Sequence, residues 1–345
     1  MPTEEQIRES LEEVLVPGVM RSLVKLNLVR QVAISDQKVN ISLASAALDE
    51  STQDWLKAKV QDVIKRLPEV KDVETGFIEA KPKDVNEIGS VIAVMSGKGG
   101  VGKSLVAGLA ALSLARSGYE VGILDADITG PSIPRMFGIT DRPMGSDTGI
   151  LPVLSRTGIE IMSVNLFLAH EDDAVIWRGS LIGKAVTQFW EEVLWGQLDY
   201  LIVDLPPGTA DVPLTVMQSL PLSGVVIVFS PQELAAMVVR KAVKMAREIM
   251  HIPILGVVEN MSYFVIPETG KRVELFGKSR AEEMAKAAGA PLLGQIPIDP
   301  ELARLCDEGD IERYDSELVR TFGEAFIQAI SARGISRDRG RERQK

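Results

Sequence analysis

The chain carries at residues 97–104 the stretch Gly97-Lys98-Gly99-Gly100-Val101-Gly102-Lys103-Ser104, which satisfies the pattern G-x-x-x-x-G-K-[ST]. An apolar run at 91–95 precedes it, and a stretch typical of a helix follows it at 103–117. A strand, a glycine-rich loop and a helix in this order are the setting of a P-loop, which cradles a polyphosphate with bare backbone N–H groups. The stretch therefore predicts a nucleotide site formed by Gly97, Lys98, Gly99, Gly100, Val101, Gly102, Lys103 and Ser104.

Charged and hydroxyl side chains complete the predicted phosphate chemistry. We expect Lys103 to neutralise the β and γ phosphates and the Ser104 hydroxyl to ligate Mg²⁺. Asp204 closes an apolar strand, where a Walker-B carboxylate would hold that Mg²⁺ through water. Asp125 and Asp127 end another strand two residues apart, so they share one side of the pleat if the strand extends that far. One would orient the metal shell and the other the attacking water; on spacing alone, two solvated loop carboxylates are an equal alternative.

Around this motif, short β-branched runs alternate with amphipathic stretches of helical length. This alternation is typical of an α/β fold, here a P-loop NTPase with a mainly parallel sheet flanked by helices. We place this domain at residues 90–332. Its predicted strands lie at 91–96, 120–125, 159–164, 200–204, 224–230, 254–260 and 291–296.

The first 80 residues predict a separate small α+β domain, joined by a linker at 81–89. Its predicted elements are a helix opened by a capping box at Thr3 and running to about Leu15, a hairpin of strands at 29–35 and 38–43, a helix at 51–67 and a strand at 70–78. We expect Trp55 on the apolar face of the second helix.

Composition restricts the class of protein further. With 345 residues the chain has room for about two domains, and 46 % hydrophobic with 25 % charged residues is typical of a folded globular protein. A net charge of −10 disfavours non-specific binding to nucleic acid and to anionic lipid. The single cysteine, Cys306, cannot form an intramolecular disulfide, which fits a reducing cytoplasm. The acidic N-terminus has no signal-peptide pattern. The basic tail at 333–345 is expected to be disordered.

Several motifs of the chain resemble those of known protein families. The additional lysine, Lys98, resembles that of the deviant Walker A motif in the MinD/ParA class. The small N-terminal domain is similar to iron-sulfur assembly factors, so that the resemblance covers nearly the whole chain. More specifically, five stretches resemble the Mrp/ApbC iron-sulfur carrier ATPases: Asp125-Ala126-Asp127-Ile128-Thr129-Gly130-Pro131-Ser132, Trp177-Arg178-Gly179, Leu198-Asp199-Tyr200, Asp204-Leu205-Pro206-Pro207-Gly208-Thr209 and Glu259-Asn260-Met261-Ser262-Tyr263-Phe264.

The resemblance implies a slow ATPase that works as a nucleotide-sandwich homodimer and carries or scaffolds iron-sulfur clusters. Its cofactors would be ATP and Mg²⁺, and its partners iron-sulfur apo-proteins or assembly factors, with no nucleic acid and no membrane. Carried over by position, Lys98 acts across the dimer and Asp127 activates water. Asp204 joins the Mg²⁺ shell with Ser104 and Asp125, and Asn260 reads adenine. The loop Pro206-Pro207-Gly208 would sense the γ-phosphate.

One departure from the family pattern concerns the cargo. Many members carry Cys-Pro-x-Cys after the Asn-Met-Ser-Tyr-Phe segment, and two subunits pool four thiolates for a [4Fe–4S] cluster. Here Ile266 and Thr269 fill the two positions, and neither replaces a thiolate. Cys306 aligns with neither position, so no iron-sulfur ligand is identifiable. A dimer would bring together two copies of Ile266-Pro267-Glu268, for which we expect an apolar, metal-free contact.

Two other functions remain open. A positioning ATPase of the MinD/ParA type would act on a membrane or on DNA, against which stand the acidic charge and the lack of a C-terminal amphipathic anchor. An ATP-gated adaptor without cluster binding would use the small domain to recruit partners and ATP to set the dimer state. Co-sedimentation tests the first alternative, and ATP turnover tests the second.

Overall fold

The computed structural model describes residues 2–127, 130, 132–167, 179–232 and 235–335. The strands are β1 (Leu15–Val16), β2 (Arg21–Ser22), β3 (Val29–Ser35), β4 (Lys38–Ala44), β5 (Asp72–Ile78), β6 (Glu87–Ser96), β7 (Val121–Asp125), β8 (Gly145–Ser146), β9 (Gly149–Ile150), β10 (Val153–Leu154), β11 (Glu160–Ser163), β12 (Gln197–Asp204), β13 (Gly224–Phe229), β14 (Ile254–Val265), β15 (Arg272–Val273) and β16 (Leu292–Ile298). The helices are α1 (Glu4–Leu11), α2 (Glu50–Ile64), α3 (Pro82–Val85), α4 (Lys103–Arg116), α5 (Ile133–Met136), α6 (Gly179–Glu192), α7 (Asp211–Gln218), α8 (Ala235–Lys244), α9 (Ala281–Ala288), α10 (Pro300–Asp307) and α11 (Glu317–Ala332).

The chain divides into two units. The first consists of Met1–Ile88 with two later segments, Arg142–Val153 and Gln188–Leu198, and the remaining residues form the second. Sequence periodicity does not reveal that these two segments pack with the N-terminal residues, because each lies far away along the chain. Parts of two quoted motifs, at 128–129, 131 and 177–178, and the predicted tail from residue 336 onward lie outside the described residues.

The first unit contains a three-stranded sheet in the order β3-β4-β5. The predicted hairpin is confirmed: β3 and β4 are antiparallel, and β5 joins β4 in parallel. The capping box at Thr3 is also confirmed, since its side chain accepts from the Gln6 amide and the Gln6 side chain accepts from the Thr3 amide. The sheet packs its apolar side against buried residues of the two helices, among them Ile7, Leu11, Leu56 and Val60.

Two details of this unit differ from the prediction. Helix α1 ends at Leu11 rather than near Leu15, because Leu15 pairs with Ser22 in a short antiparallel ribbon that local helix signals do not anticipate. Trp55 is 46 % exposed, whereas its neighbour Leu56 is buried. Adjacent helical positions differ by about 100° in direction, so Trp55 falls outside the stripe that packs on the sheet.

The central sheet has nine strands in the order β10-β11-β7-β12-β6-β13-β14-β15, with β16 also paired to β14. The pairs that β7 makes with β11 and β12 and that β13 makes with β6 and β14 are parallel, whereas β15 is antiparallel to β14. Every residue of β7 and of β13 is buried, as expected for parallel strands covered on both faces. The predicted α/β class with a mainly parallel sheet is confirmed. Strand β14 runs to Val265, five residues beyond its predicted end.

Strand register brings the predicted acidic residues together. Asp125, at the end of β7, is aligned with Asp204, at the end of β12, and with Ser163, at the end of β11. Neighbouring strands lie about 4.8 Å apart, so three polar side chains meet along the carboxyl edge of an otherwise apolar sheet. Among the described residues, no helix combines the length and apolar character that crossing a bilayer requires.

Candidate functional site

The P-loop connects β6 to α4 and depends on two left-handed glycines. Gly100 has a φ of 75° and Gly102 a φ of 76°, conformations that other residues rarely adopt. Gly102 is also the residue that precedes the first turn of α4. A Cβ atom on Gly102 would lie 2.1 Å from the Asn260 side-chain nitrogen. Both the backbone conformation and this close approach therefore require glycine at position 102.

Lys103, the first residue of α4, reaches into the carboxylates predicted from the sequence. Its ammonium nitrogen lies 2.5 Å from Asp204 Oδ1 and 3.4 Å from Asp127 Oδ2. All three side chains are buried. Because an ion pair is much stronger in a water-poor site than at the surface, these contacts hold the lysine at the base of the P-loop. The alternative of two solvated loop carboxylates is thereby excluded.

Asp125, aligned with Asp204 on the neighbouring strand, is fully buried. Its Oδ1 accepts the Asp127 amide at 3.1 Å, and its Oδ2 accepts the Ser163 hydroxyl at 3.2 Å. Burial raises the pKa of Asp125 well above its ordinary value of 3.8, and the nearby Asp204 carboxylate adds to that rise. Burial also raises the pKa of Asp204, against the opposing effect of the Lys103 ammonium.

The site carries more negative than positive charge. Three buried carboxylates face one ammonium, and Asp204 Oδ2 is buried without a hydrogen-bond partner among the described residues. Mg²⁺ prefers oxygen ligands and is usually held by one or two carboxylates together with phosphates and water. Asp204 and Asp125, with the hydroxyl of Ser104 at the start of α4, are therefore donors that fit this ion.

The remaining predicted residues surround the P-loop. The Lys98 ammonium donates to the Gln232 side-chain oxygen and does not join the buried carboxylates. Asn260 is buried, and its amide donates to the Val101 carbonyl at 2.9 Å. The predicted switch loop follows Asp204, and there the Gly208 amide donates to the Ser96 carbonyl at 3.0 Å. This hydrogen bond joins the loop to the end of β6, directly before the P-loop.

Two buried polar residues next to predicted site residues were not predicted from the sequence. Ser163 donates to Asp125, as described above, and Glu259 is fully buried next to Asn260. The sequence could have pointed to Glu259, because an acidic residue inside an apolar strand is rarely buried without partners. For Ser163 the sequence offers no signal, because a serine at a strand end is common and only the register places it against Asp125.

Ile266 and Thr269, the positions at which the family resemblance led us to look for cysteines, lie in the turn of the β14–β15 hairpin. The Gly270 amide donates to the Ile266 carbonyl at 2.8 Å, and the Thr269 amide donates to the same oxygen at 3.2 Å. Cys306 lies elsewhere, on α10, where burial and then the Asp307 carboxylate raise the pKa of its thiol to about 11. It is therefore a neutral thiol near pH 7. Among the described residues, no group of three or more His, Cys, Asp or Glu side chains is arranged to hold a metal ion.

The parallel sheet, the P-loop with its additional lysine and the carboxylates around Lys103 define a P-loop nucleotide-binding protein of the MinD/ParA class. Residues 87–330 match the family described as NUBPL iron-transfer P-loop NTPase, and the chain belongs to this family. Residues 4–75 match a second family, described as iron-sulfur cluster assembly protein.

Known proteins resemble the chain over most of its length. The iron-sulfur cluster carrier protein of Aquifex aeolicus is 38 % identical and aligns with 91 % of this chain and 93 % of its own. A nucleotide-binding protein from Archaeoglobus fulgidus, solved with ADP and cobalt, has 47 % identity and a TM-score of 0.60, covering 67 % of this chain and 90 % of its own. The septum site-determining protein MinD of Pyrococcus horikoshii, complexed with Mg-ADP, shares the fold at 18 % identity and a TM-score of 0.52, covering 73 % of this chain and 100 % of its own.

The buried Asp125 predicts a stability change with a definite sign. Its pKa is raised in the folded chain, so its contribution to stability is present at low pH and is lost as pH rises from 3.8 toward the folded value. Asp125→Asn keeps an acceptor for the Asp127 amide and removes the charge. In EDTA and without nucleotide, we expect the variant to be about 1–3 kcal/mol more stable than the unmodified chain near pH 7.5, with a smaller gain near pH 5, measured by urea unfolding.

Asp315→Asn is the matched control for this measurement. Asp315 is exposed, and a hydrogen bond from Arg320 lowers its pKa, so its loss gives no gain in stability at neutral pH. A loss of stability in Asp125→Asn near pH 7.5 contradicts the assignment of Asp125 as a buried, uncompensated carboxylate.

Proposed function

We propose that the protein is an ATP-hydrolysing iron-sulfur cluster carrier or scaffold that acts as a nucleotide-sandwich homodimer. The observation that carries the ATPase part is the buried contact of Lys103 with Asp204 and Asp127 at the base of the P-loop. The names of the curated relatives support the iron-sulfur part.

ATP binding would exchange the partners of Lys103. The triphosphate carries more negative charge than the two carboxylates. The Lys103 ammonium would therefore turn from Asp204 and Asp127 to the β and γ phosphates. Asp127 is then released to accept a proton or a hydrogen bond from the attacking water. Asp204, with Ser104 and Asp125, supplies the oxygen ligands for Mg²⁺, which neutralises charge on the phosphates when bound. Asn260, whose amide donates to the P-loop carbonyl of Val101, would read the adenine.

Lys98 would act in the partner subunit. Its side chain is only half-buried and contacts Gln232 on its own chain, so it is available to a second copy facing the P-loop. A cation supplied in trans to a phosphoryl-transfer transition state is worth about 10³–10⁵ in rate. Dimerisation would therefore switch hydrolysis on, and the loop Pro206-Pro207-Gly208 would report the γ-phosphate.

The cargo site would differ from that of many relatives. The turn of the β14–β15 hairpin holds Ile266 and Thr269, and the adjoining Val265 is 39 % exposed. In the dimer we expect an apolar contact of this segment instead of four thiolates. Cluster transfer would then depend on ligands from client proteins or assembly factors.

Mixing two inactive variants tests the trans-acting lysine. Lys98→Ala and Asp127→Ala should each lower ATP turnover at least about 100-fold while ADP binding persists. In a mixed dimer one site regains both Asp127 and the partner's Lys98, and the other site has neither. Random mixing gives half mixed dimers, each with one intact site, so turnover should recover to about a quarter of the unmodified rate.

The outcomes of mixing separate the competing functions. No recovery, with mixed dimers verified by mass, contradicts a lysine that acts in trans. Negligible turnover of the unmodified protein would favour the ATP-gated adaptor. ATP-dependent co-sedimentation with vesicles or DNA would favour a positioning ATPase.

Restoring the cysteines tests the cargo site. Anaerobic reconstitution with iron and sulfide, followed by gel filtration, should leave the unmodified protein without bound iron. The double variant Ile266→Cys/Thr269→Cys should retain about four irons per dimer, as one [4Fe–4S] cluster requires. Pro267→Cys/Glu268→Cys, with the same thiol count at the wrong spacing, is the control. Stable iron in the unmodified protein contradicts an apolar, metal-free contact.

A further inference from the structure

Strand β14 becomes irregular immediately after the residue that contacts the P-loop. Met261 has a φ of 56°, a left-handed conformation that residues other than glycine adopt rarely. The pairing of β14 with β16 shifts its register between Asn260 and Phe264. Such backbone strain persists only where the surroundings impose it, and it is concentrated at functional sites.

Hydrogen bonds around the Glu259 side chain can hold the strained backbone at Met261 in place. Its carboxylate is fully buried and accepts hydrogen bonds from the Ser262 hydroxyl at 2.6 Å, the Ser279 hydroxyl at 2.7 Å, the Arg280 amide at 2.7 Å and the Gln295 side-chain amide at 2.9 Å. A buried charge is retained where several donors compensate its desolvation. These donors come from β14 itself, from the segment before α9 and from β16. The bond to Ser262 spans Met261, so it closes the chain across the strained residue.

The side chain of the next residue, Asn260, contacts the P-loop. Adjacent residues of a strand point to opposite faces, so Asn260 and Glu259 act on different sides of β14. The Asn260 amide donates to the Val101 carbonyl, and its nitrogen lies only 2.1 Å from the place a Cβ on Gly102 would take. Because Asn260 is buried and its amide is hydrogen-bonded to the P-loop backbone, a rotation of the backbone at the next residue, Met261, would move this amide away from the Val101 carbonyl.

We propose that Glu259 is a positioning residue for the nucleotide site. By fixing Ser262 across the strained Met261, it keeps the Asn260 amide on the P-loop carbonyl and so preserves the shape of the loop that receives the phosphates. This inference rests on the nucleotide binding of the proposed function, but it does not require hydrolysis, dimerisation or cluster transfer.

A rescue experiment tests this role through ADP affinity. Glu259→Gln removes the charge and replaces one of the two acceptor oxygens by an N–H₂ group, which cannot accept from these donors. ADP should therefore bind about 10-fold more weakly, which corresponds to about 1.4 kcal/mol. Glycine adopts a positive φ without steric cost. Adding Met261→Gly should therefore restore most of the affinity, whereas the matched Met261→Ala, which keeps the strain, should not. Isothermal titration calorimetry with ADP gives all four affinities.

Several results would overturn the proposal. They are unchanged affinity in Glu259→Gln, no rescue by Met261→Gly, or equal rescue by glycine and alanine, which would show that only the side chain of Met261 matters. If thermal melting shows that Glu259→Gln is unfolded, Gln295→Ala removes one donor and should weaken ADP about 3-fold, with the same rescue by glycine alone. ATP turnover measured in parallel separates the positioning role of Glu259 from the proposed ATPase activity. If the unmodified protein binds ADP but does not hydrolyse ATP, the ATPase proposal fails, and the ADP affinities still test the role of Glu259.

Discussion

The buried ammonium of Lys103 is the interaction on which the site depends. It contacts Asp204 and Asp127, and it also acts electrostatically on the buried Asp125. Burial raises the pKa values of Asp125 and Asp204, and neighbouring carboxylates add to the rise. When ionised, the three carboxylates outnumber the single ammonium, and a bound Mg²⁺ ion would supply positive charge at this place. Buried groups with shifted pKa values, which lower stability until a ligand binds, are typical of functional sites.

The rest of the architecture serves to bring these groups to one edge of the sheet. Parallel strands all end on the same side, so the ends of β11, β7 and β12 align Ser163, Asp125 and Asp204 without any contribution from loops. The P-loop starts from β6 on that edge, and β14 adds Asn260. The P-loop and its carboxylates are therefore built on strand ends, whereas Ile266 and Thr269 lie in the turn of the β14–β15 hairpin. In the proposed function, residues of this turn could change without altering the site at the strand ends.

Much of this could be predicted from the sequence, for identifiable reasons. Buried parallel strands appear as apolar runs, and phosphate loops require glycines, so the strands and the P-loop emerge from local patterns. The end of α1 could not be located, because Leu15 pairs with a residue that follows a turn. The exposure of Trp55 depends on the direction in which α2 meets its sheet. Ser163 and Glu259 gain their roles from strand register and from donors far away in the chain, which spacing does not encode.

Proton release on nucleotide binding is the most direct test of the raised pKa values of Asp125 and Asp204. Calorimetric titration with preformed Mg-ADP, at a slightly acidic pH and in buffers of different ionisation enthalpy, counts the protons exchanged on binding. If Asp125 and Asp204 are held with raised pKa values, binding should release protons, because a Mg²⁺ ion delivered beside these two carboxyl groups would favour their ionised forms more strongly than the departing Lys103 ammonium does. The release should be smaller in Asp125→Asn. Heats that do not depend on the buffer, or a net uptake of protons, would contradict the central claim.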